Sequence, residues 1–238
     1  MSKRPRKRNQ DEWIYQEVFD AILEQRLAPG TKLAEDAMGE IFGVSRTVVR
    51  KVLQRLSHER VVDIRPNRGA MVAAPTIEEA KDVFEARRLV ERGVTRLACA
   101  RINDEAAHEL HDLIEAEDAC YERGDRSGGI RMSGEFHMKL AEIAGNETLA
   151  GYLKELVTRT SLIIAQYETP GNVICTHHDH EDLVKAIQSG DADKAVSLME
   201  HHIRACEDKL NLDEEESTPD LKAIFSNIGT ARATEDAA

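Results

Sequence analysis

Three histidines stand where helical spacing calls for hydrophobic residues. His137 falls in the series Ile130, Ser133, His137, Leu140, Ala144, and His202 in Ala195, Met199, His202, Cys206, Leu210. His180 aligns with Leu183, Val184 and Ile187, although His177 also fits that spacing, and His201 falls off its helix's stripe. Arg87 interrupts a fourth stripe, Ala80, Val83, Phe84, Arg87, Val90, Val94, Leu97. A single inward histidine is ordinarily a core residue with one hydrogen-bond partner. Three from separate helices can instead converge on a divalent transition metal of the zinc or nickel type and leave positions open for water or a ligand. An arginine among hydrophobes needs a partner, and a carboxylate suits it. Spacing alone leaves the metal-binding and structural roles of the histidines both open.

A second constellation lies near the N-terminus. Ser45 is expected to cap a helix whose inward stripe is Val49, Val52, Leu53 and Leu56. Arg46 and Arg50 are four residues apart and share a side of its first turns, with Thr47 beside them. Such a face can offer base edges a two-pronged contact, for which guanine is the usual target of arginine. Lys51, Arg55, Arg65, Arg68 and the tail residues Lys3, Arg4, Arg6, Lys7 and Arg8 suit phosphates better. A lone basic helix face is more often simply solvated, so the surrounding elements have to decide.

Those elements are mostly helical. Apolar residues recur at spacings of three and four over 11–27, 34–42, 45–57, 76–101, 103–123, 126–144, 146–168, 174–189 and 191–211. Pro29-Gly30, the Thr76/Glu79 capping box, Gly145-Asn146 and Gly190-Asp191 punctuate them. Between Val61 and Val72, β-branched residues flank Arg65-Pro66-Asn67-Arg68-Gly69, which predicts a hairpin. Three helices followed by a hairpin match the winged helix-turn-helix plan. The expected fold is mainly α: a basic tail (1–10), a winged helix-turn-helix (11–75), an all-α antiparallel bundle (76–212) and an acidic, polar tail (213–238).

Charge supports this division. The net charge is −12 overall, yet residues 1–75 carry +4 and residues 76–238 carry −16, so only the first segment suits a phosphate backbone. No stretch is long and apolar enough for a bilayer, and the basic N-terminus runs into Asp11 and Glu12 without a signal-like apolar segment, so a cytoplasmic location is expected. The four cysteines form no CxxC pair and are read as small hydrophobes.

The run from Pro29-Gly30-Thr31-Lys32-Leu33 through Phe42-Gly43-Val44-Ser45-Arg46-Thr47-Val48-Val49-Arg50 to Pro66-Asn67-Arg68-Gly69 resembles the DNA-binding domain of GntR-type bacterial regulators. The resemblance implies base contacts by Arg46, Thr47 and Arg50 and a wing at Arg68-Gly69. Val48 stands where many relatives have proline, and Asp36 where some have an operator-contacting arginine. Farther on, Glu85 to Glu91, Phe136-His137, Gly145-Asn146, His180 through Ala186-Ile187, Gly190-Asp191 and Met199-x-x-His202 resemble the effector domain of the FadR-like branch. That resemblance implies an antiparallel helical bundle whose members often hold a metal with one aspartate and three histidines and bind small carboxylates beside it. Here Ser133 occupies the aspartate's place.

The resulting expectation is a homodimeric repressor acting on palindromic double-stranded operator DNA. Its effector carboxylate would engage Arg87 and a metal on His137, His180 and His202. Two alternatives are a metal-free effector pocket and a metal-dependent hydrolase fused to a DNA-binding module. The latter is disfavoured because no convincing glutamate general base is seen on the histidine seam. A sequence-indifferent architectural protein is disfavoured by the acidic larger domain.

Overall fold

The computed structural model describes residues 10–24, 26–66, 68–167 and 177–212. The N-terminal basic residues 3–8 and the acidic tail from 213 lie outside these. The described elements are α1 (Gln10–Leu23), β1 (Lys32–Leu33), α2 (Glu35–Phe42), α3 (Arg46–His58), β2 (Val62–Arg65) and β3 (Gly69–Val72), then α4 (Ile77–Cys99), α5 (Asp104–Glu122), α6 (Arg126–Ala144), α7 (Glu147–Tyr167), α8 (His177–Gln188) and α9 (Ala192–Asp208).

In the first module, α3 lays Val49, Val52, Leu53 and Leu56 against Ile14 and Val18 of α1 and the inner faces of the hairpin. Each of these side chains is almost wholly buried, which favours the module by about 2 kcal/mol apiece. The α2–α3 turn pivots on Gly43, whose φ of 64° lies in the left-handed region. Ser45 occupies the N-cap of α3, but its hydroxyl makes no cap hydrogen bond, contrary to expectation. The hairpin gains a third strand not foreseen in the sequence: the sheet order is β1-β3-β2, all antiparallel, with Leu33 opposite Ala70 and Val62 opposite Val72. Two residues are too few to display an alternating pattern. The first helix also stops at Leu23 rather than 27, because the Leu27 amide folds back onto the Ala21 carbonyl (2.9 Å) ahead of the Gly30 turn.

In the bundle, α4 packs on α6, α7 and α9, while α5 bridges α6 and α8. The Thr76/Glu79 capping box starts α4 as expected. Phe84, Leu110, Phe136, Leu140, Leu153 and Ile163 are fully buried at its centre.

The two modules interlock. Leu23 of α1 is buried in the bundle core, and Leu162 of α7 is buried in the core of the first module. Around this exchange, Arg131 of α6 reaches Asp20 (2.6 Å), Lys154 of α7 reaches Glu59 (3.0 Å), and the Tyr167 hydroxyl donates to the Pro75 carbonyl (2.7 Å). Glu59, at the end of α3, also accepts from the buried Tyr15 hydroxyl. Burial, together with that carboxylate, raises the Tyr15 pKa, so the phenol stays protonated.

Candidate functional site

On the outer side of the first module, Ser45, Arg46, Thr47, Arg50 and Lys51 are all exposed on α3, opposite its buried stripe. The wing brings Arg65, Arg68 and Gly69 to the same module, also exposed. Gly69 adopts φ 79°, which explains a glycine in this turn, where any side chain would be strained. The cations on α3 do not stand free. Arg46 pairs with Asp36, and Arg50 donates Nε and Nη2 to Glu35 Oε1 (3.0 Å) and Oε2 (2.7 Å). Lys51 lies 2.5 Å from Asp11, and Arg55 pairs with Glu12. Among the wing residues, Arg65 lies 3.3 Å from Asp63.

Deep in the bundle, the three predicted histidines meet. His137 from α6, His180 from α8 and His202 from α9 each expose 2% or less of their surface. Their ligating nitrogens all lie within 4.8 Å of one another. Among the described side chains, His180 is the α8 histidine of the cluster; the side chain of His177 lies outside them. His201 is exposed, as its position off the stripe implied.

Each ring turns its Nδ1 toward a carboxylate. His180 Nδ1 lies 2.9 Å from Glu117 Oε2, and His202 Nδ1 lies 3.9 Å from Asp179 Oδ2. His137 Nδ1 lies 2.8 Å from Glu91 Oε1, close enough to attract but off the angle a hydrogen bond requires. At His180 the Glu117 carboxylate can hold the proton on Nδ1 and leave the Nε2 lone pair facing inward, the usual arrangement of a metal-bound histidine, whereas Nδ1 of His137 and of His202 makes no hydrogen bond among the described residues. His180 Nε2 and His202 Nε2 then stand 3.2 Å apart. Two nitrogens bound tetrahedrally at about 2.05 Å from one ion are roughly 3.3 Å apart, so the spacing fits zinc. The His137 Nε2 atom is buried with no hydrogen-bond partner. An orphaned lone pair beside two converging ones is a donor set that matches a divalent ion, and with three protein nitrogens it leaves room for an exogenous oxygen.

Electrostatics agree. Burial, and next the Arg87 charge, hold His137 well below the ordinary histidine range. Burial and the neighbouring His180 bring His202 down to about 3. Neutral imidazole is the form that ligates. Burial pushes the Glu91 carboxyl up, opposed by Arg87.

Arg87 is 6% exposed, and among the described residues it hydrogen-bonds only through Nε, to Glu91 Oε1 (3.1 Å). It lines a small cavity of about 20 Å³ with Tyr121, Ile130, Ser133, Gly134, Val157, Ser161 and Ile164. Ser133, in the aspartate's place, lines this cavity with Arg87.

Sequence reasoning missed Glu91, Glu117 and Asp179. The expectation that the seam lacks a glutamate is corrected: Glu91 and Glu117 are buried on it, although both face histidine Nδ1 atoms. A signal existed, since Glu117 interrupts the stripe Leu110, Ile114, Glu117, Cys120 on α5 just as the histidines interrupt theirs.

Comparison with known proteins now decides the family. Residues 10–72 match the bacterial regulatory proteins of the gntR family, and residues 82–205 match the FCD domain, which alone covers over half of the chain. The chain belongs to the GntR family. This GntR regulator is 26% identical over 195 residues to the HTH-type transcriptional repressor RspR of Escherichia coli, covering 80% of this chain and 84% of RspR. It is 27% identical over 220 residues to the HTH-type transcriptional regulator LutR of Bacillus subtilis, covering 80% and 96%. Among solved structures, E. coli McbR/YncC aligns with a TM-score of 0.71 at 18% identity over 82% of this chain and 93% of that one. A GntR regulator from Rhodococcus sp. RHA1 aligns with a TM-score of 0.70 at 22% identity over 87% and 100%. These likenesses establish the fold as a winged helix-turn-helix joined to a helical domain. The regulator is a DNA-binding transcription factor of the GntR/FCD type, and none of its described helices is long and apolar enough to cross a membrane.

Proposed function

We propose that this regulator is an effector-responsive, homodimeric repressor. In this reading α3 presents Arg46, Thr47 and Arg50 to bases of a palindromic operator, and Ser45, Lys51, Arg65, Arg68 and the Gly69 turn contact its backbone. The bundle would sense a small carboxylate. The observation that carries this is the buried Arg87, which among the described residues hydrogen-bonds only through Nε, to Glu91, and lies near the three converging histidines. A buried guanidinium with unused donors is costly unless a ligand supplies acceptors. His137, His180 and His202 would hold a divalent ion of the zinc or nickel type, which when bound would attract a carboxylate oxygen as a Lewis acid. RspR, a relative of similar length, is named a repressor, which supports that direction of control.

The protein's own part is to couple occupancy to the DNA-binding module. A cavity of about 20 Å³ has room for one water, so a carboxylate must part α6 from α7. Those two helices also carry Arg131 and Lys154, which bind Asp20 of α1 and Glu59 at the end of α3. Opening the cavity therefore strains the contacts that orient α3. A thermal-shift series of small carboxylates, with and without zinc or nickel, tests the reading. A ligand that prefers the folded chain must raise its melting temperature, and Arg87→Ala should abolish the gain. Stabilisation that survives Arg87→Ala, or none from any carboxylate, defeats it. Elemental analysis of protein prepared without chelator tests the metal separately.

A further inference from the structure

The acidic partners of α3 form a pattern. Three exposed cations along that helix, Arg46, Arg50 and Lys51, and the half-buried Arg55 are each matched by a carboxylate from another helix: Asp36 and Glu35 in the first turn of α2, Asp11 and Glu12 in the first turn of α1; Arg55 also lies 3.7 Å from Glu59 and over the Tyr15 ring. As contributors to stability these exposed pairs count for little. Their geometry matters for a different reason. Arg50 gives Glu35 its Nε/Nη2 edge, two parallel bonds at 3.0 and 2.7 Å. A guanidinium has five N–H groups in a rigid fork, so the adjacent Nη1/Nη2 edge still presents two donors side by side. Guanine O6 and N7 offer the matching pair of acceptors. Glu35 thus fixes the plane of Arg50 without consuming the edge that reads a base.

We infer that Glu35 is a specificity-determining positioning residue for Arg50, and that Asp11 and Glu12 are internal counterions that restrain Lys51 and Arg55 from binding DNA indiscriminately. This rests on the reading of α3 as the base-reading helix. The two pairs of acids should behave differently. Lys51 and Arg55 face phosphates, and a cation already neutralised within the protein releases no counterion from the duplex until its acid lets go. Removing Asp11 and Glu12 therefore strengthens all DNA binding equally. Removing the charge of Glu35 leaves Arg50 free to swing between base and phosphate, which strengthens binding to arbitrary sequence while eroding the guanine preference.

The test uses the full chain. Wild type, Arg50→Ala, Glu35→Gln and Asp11→Asn/Glu12→Gln each select from a random duplex pool. Their affinities for the wild-type-selected duplex and a scrambled duplex are then measured by fluorescence anisotropy across a salt series. Wild type is expected to fix a guanine in each half-site, and Arg50→Ala to lose it. Glu35→Gln should bind the scrambled duplex more tightly and lose at least about fivefold of the preference for guanine at that position. Asp11→Asn/Glu12→Gln should tighten both duplexes alike and steepen the salt exponent by roughly 2, near 0.9 per phosphate contact. Guanine preference intact in Glu35→Gln while lost in Arg50→Ala overturns the positioning role alone. An unchanged salt exponent in Asp11→Asn/Glu12→Gln overturns the counterion role. Guanine retained by Arg50→Ala, or no sequence selected by wild type, removes the base-reading assignment and both inferences with it.

Discussion

Acidifying the metal-free protein should unfold it along a predictable course. His137 and His202 are buried neutral, with folded-state pKa values depressed by desolvation and nearby charge, that of His202 to about 3. In the unfolded chain both titrate near 6.5, so below that pH the unfolded state binds the extra protons. Their stabilising contribution is thus complete above pH 6.5 and drains away as pH falls toward the folded values. Between pH 7 and 5 each ring costs about 2 kcal/mol, or about 4 kcal/mol for the two. Glu91 acts the other way: its raised folded pKa lets the native state take up a proton early and offsets part of the loss. A loss of a few kcal/mol is a large share of a total near 5–15 kcal/mol, and should lower the melting temperature by about 8–16 °C if undiminished. Urea unfolding followed by circular dichroism at half-unit pH steps, on protein dialysed against chelator, measures the slope. His202→Gln should roughly halve the loss, as one titrating ring is removed. A wild-type stability that is flat from pH 7 to 5, or a slope unaltered in His202→Gln, would refute the assignment of neutral, solvent-excluded rings.

Other expectations concern the same centre and its supports. Glu117→Gln should weaken zinc binding about 10–100-fold while leaving His180 in place, as measured by competition with a chromogenic chelator. Ser133→Asp should tighten metal binding by the same assay, yet destabilise the chelated protein by about 1–3 kcal/mol, because the new carboxylate is buried. Leu162→Ala, although on a bundle helix, should cost about 2–5 kcal/mol and speed amide exchange in α1 and α3, read by hydrogen-exchange mass spectrometry.

Much of this was legible because helical periodicity is a one-dimensional signal. His137 and His202 could be placed on the inner faces of their helices from apolar neighbours alone, and on α8 the same spacing left His180 and His177 both open; His137, His180 and His202 meet. The same logic applied to α5 would have found Glu117. Glu91 was harder, because an i+4 partner of Arg87 looks like an ordinary surface ion pair until burial is known. The α3 face was equally plain as to direction, but its neutralisation was not. Asp11 and Glu12 are 40 and more residues from Lys51 and Arg55, and which acid reaches which base depends on how α1 crosses α3. Short elements failed for lack of length: β1 pairs through only two residues.

The exchange of Leu23 and Leu162 between the two cores bears on how such regulators can be recombined. A chimera cut at the linker near Pro75 would carry one half of each side-chain exchange into a foreign partner, leaving a void in one core and a stranded leucine on the other. Transplanting a new sensing domain onto this DNA-binding module therefore requires grafting the matching face of α7 along with α1. The unit to transplant is the joint between these helices.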